Sequence, residues 1–319
     1  MRLTQKLVVV SILAAAVSGA SAARDDNASR AENLIYRDGV SHNVQFRGPS
    51  GLPEQALRCG VKPASATDRA AVDRRVVAFR KSPEYAALAR KAGSTETTIP
   101  VQFHVVYKTD RKGNRIGDVS DQMIADQVQV LDAAYAGRGF SFVLAGVSRT
   151  DNARWFDGCA SSGVESSMKS ALAVDPANNM NAYTCNPRRL LGYAYYPQSF
   201  PENNPLHGVV LLHSSLPAGG AVPYDEGDTA THEVGHYLGL AHTFEGGCTE
   251  PGDSVGDTPA EASPAFGCPV GRDTCAAPGV DPILNFMDYT DDACMVEFSP
   301  EQSIRMDEIA RLYRPSLFN

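Results

Sequence analysis

Between Thr229 and His242 the chain reads T-A-T-H-E-V-G-H-Y-L-G-L-A-H. On a helix, residues four apart leave the same face, so His232 and His236 can offer two imidazole nitrogens to one ion. Glu233 stands one step around from His232, close enough to reach a water on that ion without ligating it. Three protein ligands and an open fourth position suit a catalytic zinc, whereas a structural zinc is normally closed by four. His242 is the expected third ligand. A helix running straight on would carry it away from the other two, so the chain must bend, and Gly239 stands where left-handed backbone costs little. Zinc held this way brings the pKa of a bound water toward about 7. Glu233 then acts as general base, taking the proton as that water attacks a peptide carbonyl and passing it to the leaving amine.

The elements that must position these groups can be read around them. Asp228 or Thr229 is the expected cap of the histidine helix, its side-chain oxygen accepting from unpaired N–H groups. Upstream, Ile99, Val101, Phe103, Val105 and Tyr107 alternate as in a strand with one buried face, with His104 on the other as a structural histidine. Ser120 caps a helix striped by Met123, Ile124, Gln127, Val130, Leu131 and Ala134 and ended at Gly137. Strands follow at 140–147, 192–196 and 208–213, with a helix over 164–173. Interleaved strands and helices predict an α+β fold with a mixed sheet under helical cover. After His242 turn residues dominate until Ser299-Pro300-Glu301-Gln302, a capping box with proline at the first helical position. It opens a last helix striped by Met306, Ile309, Ala310 and Tyr313.

The longer string H-E-x-x-H-x-x-G-x-x-H resembles the metzincin signature, and that family carries a methionine turn downstream, here Asn285-Phe286-Met287-Asp288-Tyr289. The runs Gly239 to Phe244, Gly252 to Pro259 and Asn285 to Tyr289, then Asp291 to Met295, narrow the likeness to the pappalysin family, especially its small secreted microbial members. The likeness extends from about Thr98 to Arg314. It implies a metzincin-type zincin: an upper subdomain (96–242) of twisted mixed sheet and helices including the active-site helix, and a lower, irregular, disulfide-stapled subdomain (243–319) with a C-terminal helix. A substrate cleft would run between them. It implies that Met287 packs beneath the histidines without ligating zinc, and that Tyr289 donates a hydrogen bond to the tetrahedral oxyanion. Asp253 and Thr258 match a loop that binds calcium in similar proteins, a hard cation suited to oxygen donors, and Asp257, Asp291 and Asp292 could add charge. Some relatives prefer a basic side chain after the scissile bond, which an acid from Asp291 or Asp292 would explain.

The 319 residues, 43% hydrophobic with net charge −8, are ample for a core and argue against a nucleic-acid partner. Residues 1–22 read as a secretory signal: Arg2 and Lys6, an apolar run from Leu7 to Val17, and Ala20-Ser21-Ala22. No later stretch approaches the ~20 apolar residues of a membrane span, so a secreted, extracellular protein is expected. Export makes the seven cysteines informative, since disulfides persist outside the cytoplasm. Composition and spacing leave their pairing open; the family resemblance implies Cys248 with Cys275, Cys268 with Cys294, and Cys159 with Cys185. The odd one, Cys59, lies in a segment of different character, 23–95, rich in Arg, Ala and Asp, with a helix expected around Asp68 to Arg90 and basic pairs at Arg80-Lys81 and Arg90-Lys91. This reads as a removable pro-segment. Asn27-Ala28-Ser29, a glycosylation sequon, would leave with it. Arg58-Cys59-Gly60 resembles a cysteine switch, in which a thiolate takes the open zinc position and keeps the enzyme latent. The function expected is thus a secreted zinc endopeptidase acting on proteins or peptides. The alternatives are a catalytically silent zinc-binding scaffold, which the presence of Glu233 disfavours, and a non-peptide zinc hydrolase, which the Gly239 bend and the Met287 turn disfavour.

Overall fold

A computed structural model describes residues 43–91 and 96–318. The expected secretory signal, the Asn27 sequon and the start of the expected pro-segment lie outside the described residues. The described chain enters as a hairpin, β1 (Asn43–Arg47) paired antiparallel with β2 (Pro53–Leu57), which sequence reading did not anticipate. Where one helix was expected there are two, α1 (Ala66–Arg80) and α2 (Pro83–Lys91). Proline has no N–H to continue α1 but suits a first turn, and Ser82 restarts the helix by accepting from the Tyr85 N–H at 3.1 Å.

The sheet is built next. Strand β3 (Thr97–Thr109) is followed by β4 (Arg115–Ile116), α3 (Asp121–Tyr135), β5 (Phe140–Asp151), α4 (Ala153–Gly158), α5 (Ser162–Leu172), β6 (Met180–Cys185), β7 (Gly192–Tyr193) and β8 (Val209–Leu212). The strand order is β4-β3-β6-β8-β7, with β5 also on β3. The β3–β5, β3–β6 and β6–β8 pairs are parallel, while β4 and β7 run antiparallel to their neighbours. The sheet is therefore mixed, as expected, with β3 inside it.

Strand β3 departs from the one-faced pattern. Ile99, Val101, Phe103 and Val105 enter the main core with residues of α3, the histidine helix and the C-terminal helix. Its other face is covered too: Val106 joins Phe156, Met168 and Tyr183 in a second cluster. His104 is consequently buried, bonded through Nδ1 to Ser148 Oγ at 2.7 Å and through Nε2 to Asn181 Oδ1 at 2.8 Å, and stacked on Tyr183. Burial pushes its pKa down, so the structural reading of this residue stands on a satisfied neutral ring.

The histidine helix α6 (Asp228–Tyr237) lies under β7 and β8. From Thr243 to Phe298 there is no α-helix or strand beyond one 3₁₀ turn at Asp292–Cys294. Cys248–Cys275 and Cys268–Cys294 bridge this stretch, closing loops of 27 and 26 residues. Each contributes about 3 kcal/mol by restricting the unfolded chain. Cys159–Cys185 lies instead in the upper part, tying the end of α4 to the end of β6. The chain closes with α7 (Pro300–Tyr313), whose Ser299–Gln302 capping box is complete. No helix among the described residues is long and apolar enough to cross a membrane.

Candidate active site

Helix α6 starts in a way the sequence did not indicate. Its cap is Gly227, at φ +104°, and no side chain of its own caps it; the expected caps Asp228 and Thr229 are already helical. A carboxylate from elsewhere takes over, with Asp292 Oδ2 accepting from the Glu226 N–H at 3.1 Å and the Asp228 N–H at 3.3 Å. Negative charge at a helix N-terminus is favoured by the aligned peptide dipoles. Thr229 is turned toward Arg58 instead.

All ten residues of α6 are buried, so its histidines are fixed by packing and by their outer nitrogens. His232 Nδ1 donates to the Phe286 carbonyl and His236 Nδ1 to the Leu240 carbonyl, each at 2.7 Å. A carbonyl only accepts, so both Nδ1 atoms carry the proton and both Nε2 atoms keep a free lone pair. The chain turns at Gly239, φ +109°, where an added Cβ would come within 2.5 Å of Ile309. That turn returns His242 so that its Nε2 lies 3.0 Å from that of His236, which in turn lies 3.1 Å from that of His232. Lone pairs crowded this closely repel unless a cation sits among them. Burial also holds His232 and His236 neutral by pushing their pKa down, that of His236 to about 4. Three imidazoles converging through Nε2 fit zinc.

The Sγ of Cys59 completes the cluster: it and the three histidine nitrogens all lie within 4.8 Å of one another. Among the described residues these four are the only such group. Burial, and next the Glu233 charge, push the thiol well above its ordinary pKa; only a cation at the histidines would make it a thiolate. Glu233 is fully buried, and its oxygens meet no N–H or O–H donor among the described residues. Burial pushes its carboxyl up to about 8, against the opposing effects of the Cys59 thiol and the Arg58 charge. It lies hard under the sheet edge: a Cβ on Gly192 would come within 2.8 Å of its Cγ. The strand here passes over the helix only because that residue is glycine. Met287 is wholly buried with its sulfur against Gly235. The Tyr289 hydroxyl stands 3.2 Å from His242 Nε2.

The segment carrying Cys59 lies along the sheet edge. Leu57 N–H donates to the Arg189 carbonyl at 2.7 Å, Leu191 N–H to the Leu57 carbonyl at 3.0 Å, and Gly60 N–H to the Gly192 carbonyl at 2.8 Å, in parallel sense. Between these contacts Arg58 reaches a fully buried ion pair with Asp292, 3.0 Å, donates to Thr229, and stacks over Tyr224 with 5.0 Å to the ring centroid. A cavity of about 380 Å³ opens between this segment and His242, Phe244 and Tyr289. Sequence reading singled out Arg58-Cys59-Gly60 for its thiol alone. The partner role of Arg58, the closeness of Gly192 and the part of Thr229 carried no local signal, because each depends on contacts more than thirty residues away.

The expected calcium residues do adjoin. Thr258 Oγ1 donates to both oxygens of the buried Asp253 carboxylate, at 3.0 and 2.8 Å, and the Val255 N–H to Oδ1 at 3.0 Å. Burial raises Asp253 to about 7, against the opposing hydrogen bonds of Thr258 and Val255 and the charge of Arg305. Of the other acids, Asp257 accepts from Ser299 Oγ and the Glu301 N–H at the start of α7, and Asp292 accepts from N–H groups at the start of α6.

Comparison with known proteins gives concordant findings. The family model described as Peptidase M43, pregnancy-associated plasma protein-A, matches residues 165–311. Extracellular metalloprotease 1 of Coccidioides posadasii is 42% identical over 244 residues, 74% of this chain and 86% of its own. An extracellular metalloprotease of Colletotrichum graminicola is 42% identical over 234 residues, 72% of this chain and 81% of its own. Among solved structures, mature mirolysin of Tannerella forsythia in complex with a cleaved peptide superposes with a TM-score of 0.58 at 31% identity, over 71% of this chain and 99% of that one. A mutant of Tannerella forsythia promirolysin superposes with a TM-score of 0.61 at 27% identity, over 82% of this chain and 97% of that one.

Proposed function

The chain belongs to the M43, or pappalysin, family of peptidases and is a secreted zinc metalloendopeptidase, and from that premise we propose which of its residues do the work and how it is kept latent. The reading rests on one observation: three imidazole Nε2 atoms, a thiol and a carboxylate meet in one buried pocket. His232, His236 and His242 would hold zinc, which when bound supplies Lewis-acid polarisation of water and of the scissile carbonyl. Glu233 accepts the proton of the attacking water and returns it to the leaving amine. Two effects make that cycle feasible: burial favours the protonated form, and a dication held by the histidines would favour the charged one, bringing the two forms close in energy. Tyr289, in contact with His242, donates to the oxyanion as it develops. Met287 fills the space under α6.

The segment 23–95 acts as a pro-segment, with Cys59 occupying the position that water needs. Arg58 stands in for a substrate's basic side chain, which supports a preference for arginine or lysine after the scissile bond with Asp292 as the buried countercharge. The substrates are proteins or peptides. Calcium at Asp253 and Thr258 would add a hard cation to the oxygen donors of that loop.

The test is casein cleavage by the processed enzyme and by its Glu233→Ala variant, each with and without a zinc chelator, with zinc content measured alongside. Activity should vanish with the chelator and fall by about 10²–10⁴-fold in the variant, which keeps its zinc. Proteolysis surviving in a zinc-loaded Glu233→Ala protein would remove Glu233 from the role of base.

A further inference from the structure

The segment preceding β3 holds the rest of the chain through a second surface, away from the zinc ligands. Along α1, Val72 and Val76 pack against Ile309, Leu312 and Tyr313 of α7. Charged groups border this apolar strip. Arg80 forks onto Glu308, Nε to Oε1 at 2.6 Å and Nη2 to Oε2 at 2.8 Å, and Tyr85 of α2 donates to the same carboxylate at 3.2 Å. In the opposite sense, Arg305 of α7 and Ser254 Oγ both donate to Asp73 of α1 at 2.9 Å. An apolar centre with a paired polar rim is the anatomy of an interface between separate molecules.

We propose that this face of α7 is a docking site for an amphipathic helix in trans, and that its occupant is the chain's own α1–α2 segment once the linker at 92–95 has been cut. The inference rests on the reading of 23–95 as a pro-segment. Cutting the linker lowers the effective concentration of the tethered segment from the millimolar range to that of the fragment itself, but breaks none of the contacts above. The charges fix the register: a cation of α1 meets an anion of α7 at Arg80–Glu308, and an anion of α1 meets a cation of α7 at Asp73–Arg305. A reversed or shifted helix would set like charges together. One cut therefore leaves a stoichiometric complex, and release of the enzyme requires a second event that degrades or strips the segment.

The experiment uses the full chain carrying Glu233→Ala, to prevent self-digestion, with a recognition site for a sequence-specific protease in place of residues 92–95. After cutting, the fragments are run on a size-exclusion column and their separation is followed after dilution. The two fragments should co-elute. Arg80→Glu should speed their separation by about tenfold or more, and adding Glu308→Arg, which restores opposite charges in reverse order, should bring retention back. Arg80 is half exposed, and circular dichroism of the uncut protein checks that the variant folds. Separation of the unsubstituted fragments on cutting, or equal retention with Arg80→Glu, would overturn the docking site. The same cut with Glu233 intact isolates the underlying reading: fragments that co-elute yet cleave casein at the full rate support the docking site and remove the latent role of the segment.

Discussion

Tyr289 and Asp292 sit three residues apart, and the physics of each sets a different kinetic signature. In the proposed mechanism the Tyr289 hydroxyl, 3.2 Å from His242 Nε2, would face the charge that develops during attack, and its hydrogen bond would then be stronger in the transition state than in the ground state. Tyr289→Phe should lower kcat by about 10²-fold with KM nearly unchanged, read from steady-state kinetics on a quenched peptide. A rise in KM alone would mean that the hydroxyl only binds substrate. Under the proposed specificity Asp292 would pair with the basic side chain after the scissile bond and not with the reacting atoms. Asp292→Asn keeps the hydrogen-bond acceptor for the α6 N-terminus but removes the countercharge that Arg58 now uses. Cleavage before arginine should fall by about 10–100-fold in kcat/KM relative to cleavage before leucine. A peptide library profiled at that position measures the ratio, and an unchanged ratio would place specificity elsewhere.

At the scale of elements, the lower loops bury a network of acids beside the apolar residues they give to the core. Arg272 binds Glu261 and Asp281 at 2.5 Å each, while Asp288 accepts from the Ala265 and Tyr289 N–H groups at 3.0 and 2.7 Å. Burial first, and then the charge of Asp288 on Glu261 and of Asp281 on Asp288, raise Glu261 and Asp288 well above the usual carboxylate range, to about 8 and about 7. The folded form thus binds more protons than the unfolded chain between about pH 4 and pH 8, and stability falls as pH rises through that window. Asp288→Asn keeps the Oδ1 acceptor and removes one titration, so the fall in Tm from pH 5 to pH 8 should shrink by the equivalent of up to about one proton; an equal fall in both proteins would clear Asp288 of the effect. Such loops also mark where sequence reading stops. The helices α3 and α7 announced themselves through Ser120 and Ser299, and the zinc ligands through fixed spacing, because those signals are local. Strand β6 did not: Asn181, Tyr183 and Thr184 are buried between two strands, so no alternation of polar and apolar residues survives to be read. The cap of α6 came from Asp292, sixty-four residues beyond the Asp228 N–H it accepts from, a pairing that only the closed fold creates.

Across the whole molecule, the proposed latency would be distributed over several separate contacts. The hairpin packs Val44, Phe46 and Ala56 against Leu191, Leu212, Ala221 and Tyr224; Leu57 to Gly60 follow the sheet edge; α1 is clamped to α7. The thiol is one contact among these, and removing it leaves the rest in place. Cys59→Ala frees the position at the histidines, yet a substrate still has to displace a tethered occupant present at an effective concentration in the millimolar range. The uncut Cys59→Ala precursor should therefore cleave a small peptide at least about tenfold more slowly than the processed enzyme. Adding Arg58→Ala, which removes the buried ion pair with Asp292, should close much of that gap, because an Asp292 left unpaired favours whichever basic side chain arrives next. Rates on uncut protein, confirmed intact by mass spectrometry, decide it. Full activity of uncut Cys59→Ala would reduce latency to the thiol alone and leave the hairpin and α1 as scaffolding for its delivery.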